Sequence, residues 1–270
     1  MLECVEGLEM RVALVFLASG LATRMRPLVR NGEKYLLPLA NGDYIIERNI
    51  KILKEIFDIR NIYLVVRDDV AGHVSNKLLQ RNIRNIYIIK NNKYKLFNNS
   101  FSFYLGLRDA LRDGGDIDGF IIMNSDIVLI NIINNINNIV FDDKSVSIIS
   151  ASRDTVLTLD YMRGFSDPDG TVRYIGFDVP KHVASFFMGG VYVPRSLARI
   201  LLEGFESVGE RAGWVLWFES VLNVLNITGR MRIRSVPLLD NFVWHEVDTI
   251  EDYRLALDLD RVYGPSIWEG

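Results

Sequence analysis

The sequence predicts an α/β fold, a parallel sheet covered by helices, and three observations carry that expectation. Residues 12–18, 62–66 and 120–123 are unbroken apolar runs, the pattern of strands buried on both faces. Between such runs lie segments whose apolar residues recur at helical spacing, so strand and helix alternate through the first half. The first run empties into a small-residue turn, Ser19-Gly20-Leu21-Ala22, where a backbone can approach a ligand closely.

Each element follows from local pattern. After the first strand, Asp43 is placed to cap a helix whose Ile46, Ile50, Leu53 and Phe57 share one face. The second strand, 62–66, is followed by a helix at 70–79 and a third strand at 86–89. A helix at 101–111 then leads into the fourth strand, 120–123. In this β-α-β order ligands bind at the carboxyl ends of the strands. The asparagine-rich run 130–139 keeps isoleucines 132, 133, 136 and 139 at helical spacing and reads as a helix of poor propensity held by packing. In the second half, 146–151, 161–165 and 172–175 read as strands, with Asp167-Pro168-Asp169-Gly170 as a turn. Residues 186–193 form another strand, carrying Gly189 and Gly190. Helices follow at 196–202 and 214–225, then a strand at 231–236 and a last helix from about Ile250. No Pro- or Ser-rich linker divides the chain, so residues 11–265 are expected to form one domain behind an extension at 1–10, with Met10 an alternative start.

Composition narrows the function classes. Of 270 residues, 49% are hydrophobic, enough for a substantial core. With 31 basic against 34 acidic side chains and a net charge of −3, general nucleic-acid binding has no electrostatic support. A single cysteine, Cys4, excludes an intrachain disulfide and any zinc site built on several cysteines. No apolar run reaches the ~18 residues of a membrane span, and the first lacks the basic flank of a secretory signal. A cytoplasmic protein with no membrane partner is expected.

The chemistry-bearing residues cluster after the strands. Thr23, Arg24, Arg26 and Lys34 follow the first turn, where free N–H groups and cationic side chains can cradle a polyphosphate. A tight turn with solvated basic residues would look the same from this segment alone. Asp126 follows the fourth strand, where a hard carboxylate oxygen suits Mg²⁺ bridging phosphates, or a cap for a following helix. Near the end, alternation puts Trp244, Glu246 and Asp248 on one face of a short strand, before a helix opened by Thr249, Glu251 and Asp252. His73, His182 and His245 show no metal-ligand spacing. Gly-x-Ser-x-Gly and the lysine-containing phosphate-loop pattern are both absent, which counts against a hydrolase and a P-loop kinase.

Residues 12–38 resemble the signature of the nucleotidyltransferase superfamily. There a Gly-x-Gly-[Thr/Ser]-Arg-[Met/Leu] loop wraps a triphosphate, and a Pro-Lys-x-Leu-x-Pro-like element follows. This chain has Ala22 at the second glycine and Glu33 at the proline before Lys34. Residues 244–252 resemble the family's Trp-x-[Asp/Glu]-[Ile/Val]-Asp-[Thr/Ser]-x-x-Asp element, which supplies the second metal carboxylate. The resemblance implies a Rossmann-like, mostly parallel mixed sheet with helices on both faces, of the nucleotide-diphospho-sugar transferase type. It also implies a Mg²⁺ cofactor held by Asp126 and Asp248, with Glu246 helping. Arg24 and Lys34 would be catalytic, and Leu17, Ala18, Gly20, Leu21, Ala22 and Thr23 would contact the nucleotide. Residues 11–128 would form the nucleotide half and 129–265 the acceptor half.

Two further segments narrow the branch. Asn98-Asn99-Ser100-Phe101-Ser102 resembles the Tyr-Asn-Asn-Ser-x-Ser segment of phosphocholine and 2-aminoethylphosphonate cytidylyltransferases, with a looser version in inositol-1-phosphate cytidylyltransferases. That implies Asn99, Ser100 and Ser102 as base-reading groups and CTP as substrate, although Ser100 could equally be a helix N-cap. Trp214, Trp217 and Phe218 fall at helical spacing, for which core packing is the ordinary reading. Their segment also resembles Leu-Tyr-Trp-Asp-Asn of the phosphocholine enzymes, implying Trp217, Phe218 and Glu219 around a cationic acceptor. A sugar-1-phosphate nucleotidyltransferase and a non-catalytic nucleotide-binding homologue are the alternatives.

Overall fold

The computed structural model describes residues 10–265 apart from 30, 84, 135, 137–140, 152–161, 181 and 183. The first half alternates β1 (Arg11–Ala18), α1 (Ile45–Lys54), β2 (Asp58–Arg67), α2 (Ala71–Gln80), β3 (Ile86–Asn91), α3 (Asn99–Arg112) and β4 (Gly119–Asn124). The second half adds β5 (Ile127–Ile132), β6 (Val146–Ala151), β7 (Arg163–Ser166), β8 (Val172–Gly176) and β9 (Ala184–Pro194). It continues with α4 (Arg195–Ala212), α5 (Phe218–Ile227), β10 (Ile233–Val236), β11 (Phe242–Glu246) and α6 (Ile250–Tyr263).

These strands build the α/β sheet that the apolar runs predict, though it is mixed, as the resemblance implies, rather than parallel throughout. Its nine strands include the path β10-β6-β9-β4-β1-β2-β3, with β7 and β8 continuing from β9. β1 runs parallel to both β2 and β4, and β3 parallel to β2, whereas β9 is antiparallel to β4 and β6. β5 and β11 form a separate antiparallel pair. Strand β1 shows why the apolar runs are unbroken. Val12, Leu14, Phe16 and Ala18 enter one core, which contains α1 and α2 residues, while Ala13, Val15 and Leu17 enter another with α3, α4 and α5. From β1 the chain winds outward to β2 and β3, then returns to β4 on the other side. That reversal opens a crevice at the carboxyl ends of β1 and β4. No helix among the described residues is long and apolar enough to cross a membrane.

Three expectations change. Helix α1 has Tyr44 at its N-cap position, whose amide donates to Glu47 Oε2 (3.3 Å), while Asp43 instead binds Arg48 and Lys51. The helix expected across 130–139 is absent from its described part: 130–132 belong to β5, and 133, 134 and 136 are irregular. Burial of Ile127 through Ile130 and pairing with β11 override the helical spacing, and β-branched isoleucine suits a strand. Asn49 fastens β5 at both sides, donating to the Ile127 carbonyl (2.7 Å) and accepting from the Leu129 amide (2.8 Å). The remainder of that run, 135 and 137–140, lies outside the described residues, as does Tyr161 of the strand expected at 161–165. Finally, α5 begins at Phe218 rather than 214, because Gly213 and Trp214 both adopt positive φ (66° and 60°) and end the preceding helix.

Candidate active site

The crevice is a cleft of about 440 Å³ at the carboxyl ends of β1 and β4. Leu17, Ala18 and the turn from Ser19 to Arg24 form one wall. Ser19 Oγ donates to the Val65 carbonyl (3.1 Å), tying the turn to β2. Ala22 sits in the left-handed region (φ 44°) and starts a 3-10 turn, Thr23–Met25, whose Met25 is buried. Gly32 (φ 81°) brings a second loop against the first, and a Cβ there would lie 2.8 Å from the Leu21 carbonyl oxygen. This close approach delivers Lys34, which opens the next 3-10 turn.

Two other turns deliver the carboxylates. Asp126 sits between β4 and β5, so it caps no helix, and its carbonyl accepts from the Val247 amide at 2.9 Å. Glu246 ends β11 and Asp248 follows, beside the α6 capping box of Thr249 and Asp252. Asp126, Glu246 and Asp248 each offer an oxygen lying within 4.8 Å of the others. Lys34 Nζ bridges Asp126 Oδ2 (2.8 Å) and Asp248 Oδ1 (2.7 Å), and Arg24 reaches Asp248 Oδ2 at 2.8 Å.

The electrostatics follow from this crowding. Burial would lower the pKa of the Lys34 ammonium, but Asp126 and Asp248 outweigh it and hold the group above its ordinary value. Burial would raise Asp248, yet Lys34 and then Arg24 hold it below the usual carboxylate range. Glu246 is pushed well up, first by burial and then by the charges of Asp126 and Asp248. Asp126 Oδ1 is buried with no hydrogen-bond partner among the described residues. Three hard-oxygen donors, one oxygen unsatisfied, fit the ligand set of Mg²⁺.

The remaining polar and aromatic lining side chains carry no charge. They include Asn91, Tyr94, Phe97, Asn98, Asn99, Ser102 and Trp217. Asn91 is buried, donating to Ser102 Oγ (3.1 Å) and accepting from the Lys93 amide (2.8 Å). Ser100 lies beneath the wall with its hydroxyl on the Leu216 carbonyl (2.7 Å), so it is neither in the cleft nor the N-cap of α3, which is Asn98.

The expected acceptor residues separate. Trp217 is half exposed at the cleft as the N-cap of α5. Phe218 is fully buried against Phe103 and Phe187 and cannot face an acceptor. Glu219 is buried too, its carboxyl pushed up to about 8 by burial. Arg26 is exposed and outside the cleft lining.

Sequence reasoning left Tyr94 and Phe97 unassigned. The signal was present in Lys93-Tyr94-Lys95-Leu96-Phe97, aromatic residues between lysines directly after a strand. The cationic groups of Arg67 and Lys95 lie 5.2 and 5.6 Å from the Tyr94 ring centre.

By sequence, no family model and no curated protein matches the chain. By structure, it is similar to the inositol-1-phosphate CTP transferase from T. maritima, with a TM-score of 0.71 at 17% identity over 95% of this chain and 99% of that one. It is similar also to CTP:phosphocholine cytidylyltransferase from Streptococcus pneumoniae (0.70, 22%, 93% and 99%). UDP-glucose pyrophosphorylase gives 0.65 at 12% identity, over 94% and 99%. The chain thus has the fold that these solved structures share.

Proposed function

We propose that this cleft transfers a nucleotidyl group from a nucleoside triphosphate, CTP foremost, to a small phosphorylated alcohol, phosphocholine foremost, releasing pyrophosphate. The observation that carries the reading is the meeting of Lys34 and Arg24 with Asp126, Glu246 and Asp248 beside a small-residue loop at the ends of β1 and β4. An acceptor phosphate oxygen attacks the α-phosphorus, and the bond to the bridging oxygen breaks, its electron pair leaving with pyrophosphate. The acceptor phosphate is already ionised near neutral pH, so the chain needs no general base. Its contribution is alignment for in-line attack and neutralisation of charge.

Lys34 and Arg24 are paired with carboxylates that a polyphosphate would compete with, and both are aimed into the cleft. They are the groups to hold the triphosphate and the departing pyrophosphate. Mg²⁺, held by Asp126 and Asp248 with Glu246 behind them, would neutralise phosphate charge. The choice of CTP rests on the resemblance of residues 98–102 to a cytidylyltransferase segment and on the fold shared with two enzymes named for CTP, not on base contacts by Asn99 or Ser100. The choice of a cationic acceptor rests on the exposed face of Trp217. On this reading residues 11–128 build the nucleotide side and 129–265 the acceptor side of one domain, acting in the cytoplasm where nucleoside triphosphates are held.

Pyrophosphate release decides the matter. Four nucleoside triphosphates are each paired with phosphocholine, inositol-1-phosphate, 2-aminoethylphosphonate and hexose-1-phosphates. CTP with phosphocholine is expected to give the highest kcat/KM. Preference for UTP with a hexose phosphate would replace this reading by the sugar-nucleotide one, and release from no pair would favour a non-catalytic nucleotide binder.

A further inference from the structure

We infer that Asn98, Asn99 and Ser100 are positioning residues for the acceptor: they clamp the backbone of residues 214–218 and so hold Trp217 at the cleft. The inference rests on the acceptor site proposed above. Four backbone groups of the segment are bound by these three residues. The Asn98 amide donates to the Trp214 carbonyl (2.8 Å), and Asn98 Nδ2 to the Val215 carbonyl (3.3 Å). Ser100 Oγ donates to the Leu216 carbonyl (2.7 Å), and Asn99 Oδ1 accepts from the Phe218 amide (2.9 Å).

The segment needs such partners. Helix α4 has ended at Ala212, α5 has not begun until Phe218, and the peptide groups between have no ladder of their own. Its two ends are fixed by packing. Trp214 rests on Phe101 and Tyr104 (5.1 and 5.0 Å between ring centres), and Phe218 stacks on Phe103 at 5.2 Å. Trp217, by contrast, is 51% exposed; its carbonyl accepts from the Val221 amide (3.2 Å), and the hydrogen bonds on either side hold the backbone that leads into it.

The same bonds argue against base reading by this motif. Asn99 Oδ1 is engaged by the Phe218 amide, which fixes the orientation of its side chain. The Ser100 hydroxyl is buried on Leu216. The Ser100 hydroxyl cannot serve a base edge without releasing the segment, and the Asn99 side chain cannot turn away from Phe218 to do so. The motif therefore links a nucleotide-side helix to an acceptor-side loop.

Ser100→Ala and Asn99→Ala test this, with CTP and phosphocholine as substrates and amide hydrogen exchange over residues 214–218 as a second readout. The clamp predicts that each variant raises the KM for phosphocholine about fivefold and speeds exchange in that segment, with the KM for CTP changed by less than about twofold and the preference for CTP over UTP kept. A shifted CTP KM or lost preference, with phosphocholine unaffected, would assign the motif to the base and overturn the clamp. If the unaltered protein releases no pyrophosphate, the proposed function fails while exchange still decides. Unchanged exchange at 214–218 in both variants overturns the clamp, and faster exchange sustains it.

Discussion

In one part of the cleft the polar side chains are charged and paired with one another; in the other they are uncharged and bonded to backbone or to each other. Lys34, Arg24, Asp126 and Asp248 compensate each other across residues far apart in sequence. Such pairs can be exchanged for a phosphate and a metal without unfolding anything, because each partner remains a charge in search of a counter-charge. Asn98, Asn99 and Ser100 have no such freedom, since withdrawing them strands the peptide groups of 214–218. The charged part is equipped for chemistry and the amide part for shape.

Removing a charge should therefore cost the most. Lys34→Ala takes away the ammonium that two carboxylates share and is expected to lower kcat/KM by about 10²-fold or more. Arg26→Ala, altering an exposed neighbour, should stay within about twofold. Steady-state kinetics on the two variants compare a cleft charge with a solvated one from the same basic stretch. Equal effects would show that general positive charge matters rather than the geometry at Lys34.

The next effect probes the uncharged part. Trp217→Ala should raise the KM for phosphocholine about 3- to 30-fold, the range of a cation over an aromatic face, with little change for CTP. Efficient use of inositol-1-phosphate with none of phosphocholine would break the link between Trp217 and a cation while leaving the charged part's role untouched.

The buried Glu219 carboxyl makes a pH prediction. Glu219 is pushed up to about 8 by burial from an ordinary value of 4.5. The folded protein keeps this proton where the unfolded chain has lost it, so stability falls as pH rises from about 4.5 to 8. In Glu219→Gln that contribution is gone. The variant should gain on the unaltered protein in Tm across this window, most at its upper edge, and parallel Tm curves would show that Glu219 is ionised in the fold.

The smallest effect concerns the loop backbone. Ala22 holds φ 44°, where L-residues are disfavoured. Ala22→Gly should relieve that strain while adding freedom to the unfolded chain, for a net change within about 1 kcal/mol in denaturant unfolding. A large loss of stability would mean that the Ala22 methyl is needed where it packs.

How much of this was legible follows the same division. β1, β2 and β4 could be read because strands buried on both faces are written as unbroken apolar runs. Lys34, Asp126 and Asp248 could be found because turns after strands and before a capped helix leave local marks. What could not be read is which partner each polar side chain takes across the fold. Ser100 is in the right motif, yet its hydroxyl faces a carbonyl more than a hundred residues away. Phe218 sits next to Trp217 in sequence and on the opposite side of the wall, because positive φ at Gly213 and Trp214 delays the helix. The run at 130–139 carried helical spacing and strand-favouring isoleucines together, and pairing with β11 decided between them.

Pyrophosphate release from CTP and phosphocholine, followed with Mg²⁺ and with chelator in the unaltered protein and in Asp126→Asn, tests the central claim most directly. Release is expected to require the metal and to fall by about 10³-fold or more in the variant, whose Tm and hydrogen exchange remain those of a folded protein. Equal release with chelator, or an Asp126→Asn variant that turns over like the unaltered protein, would contradict that claim.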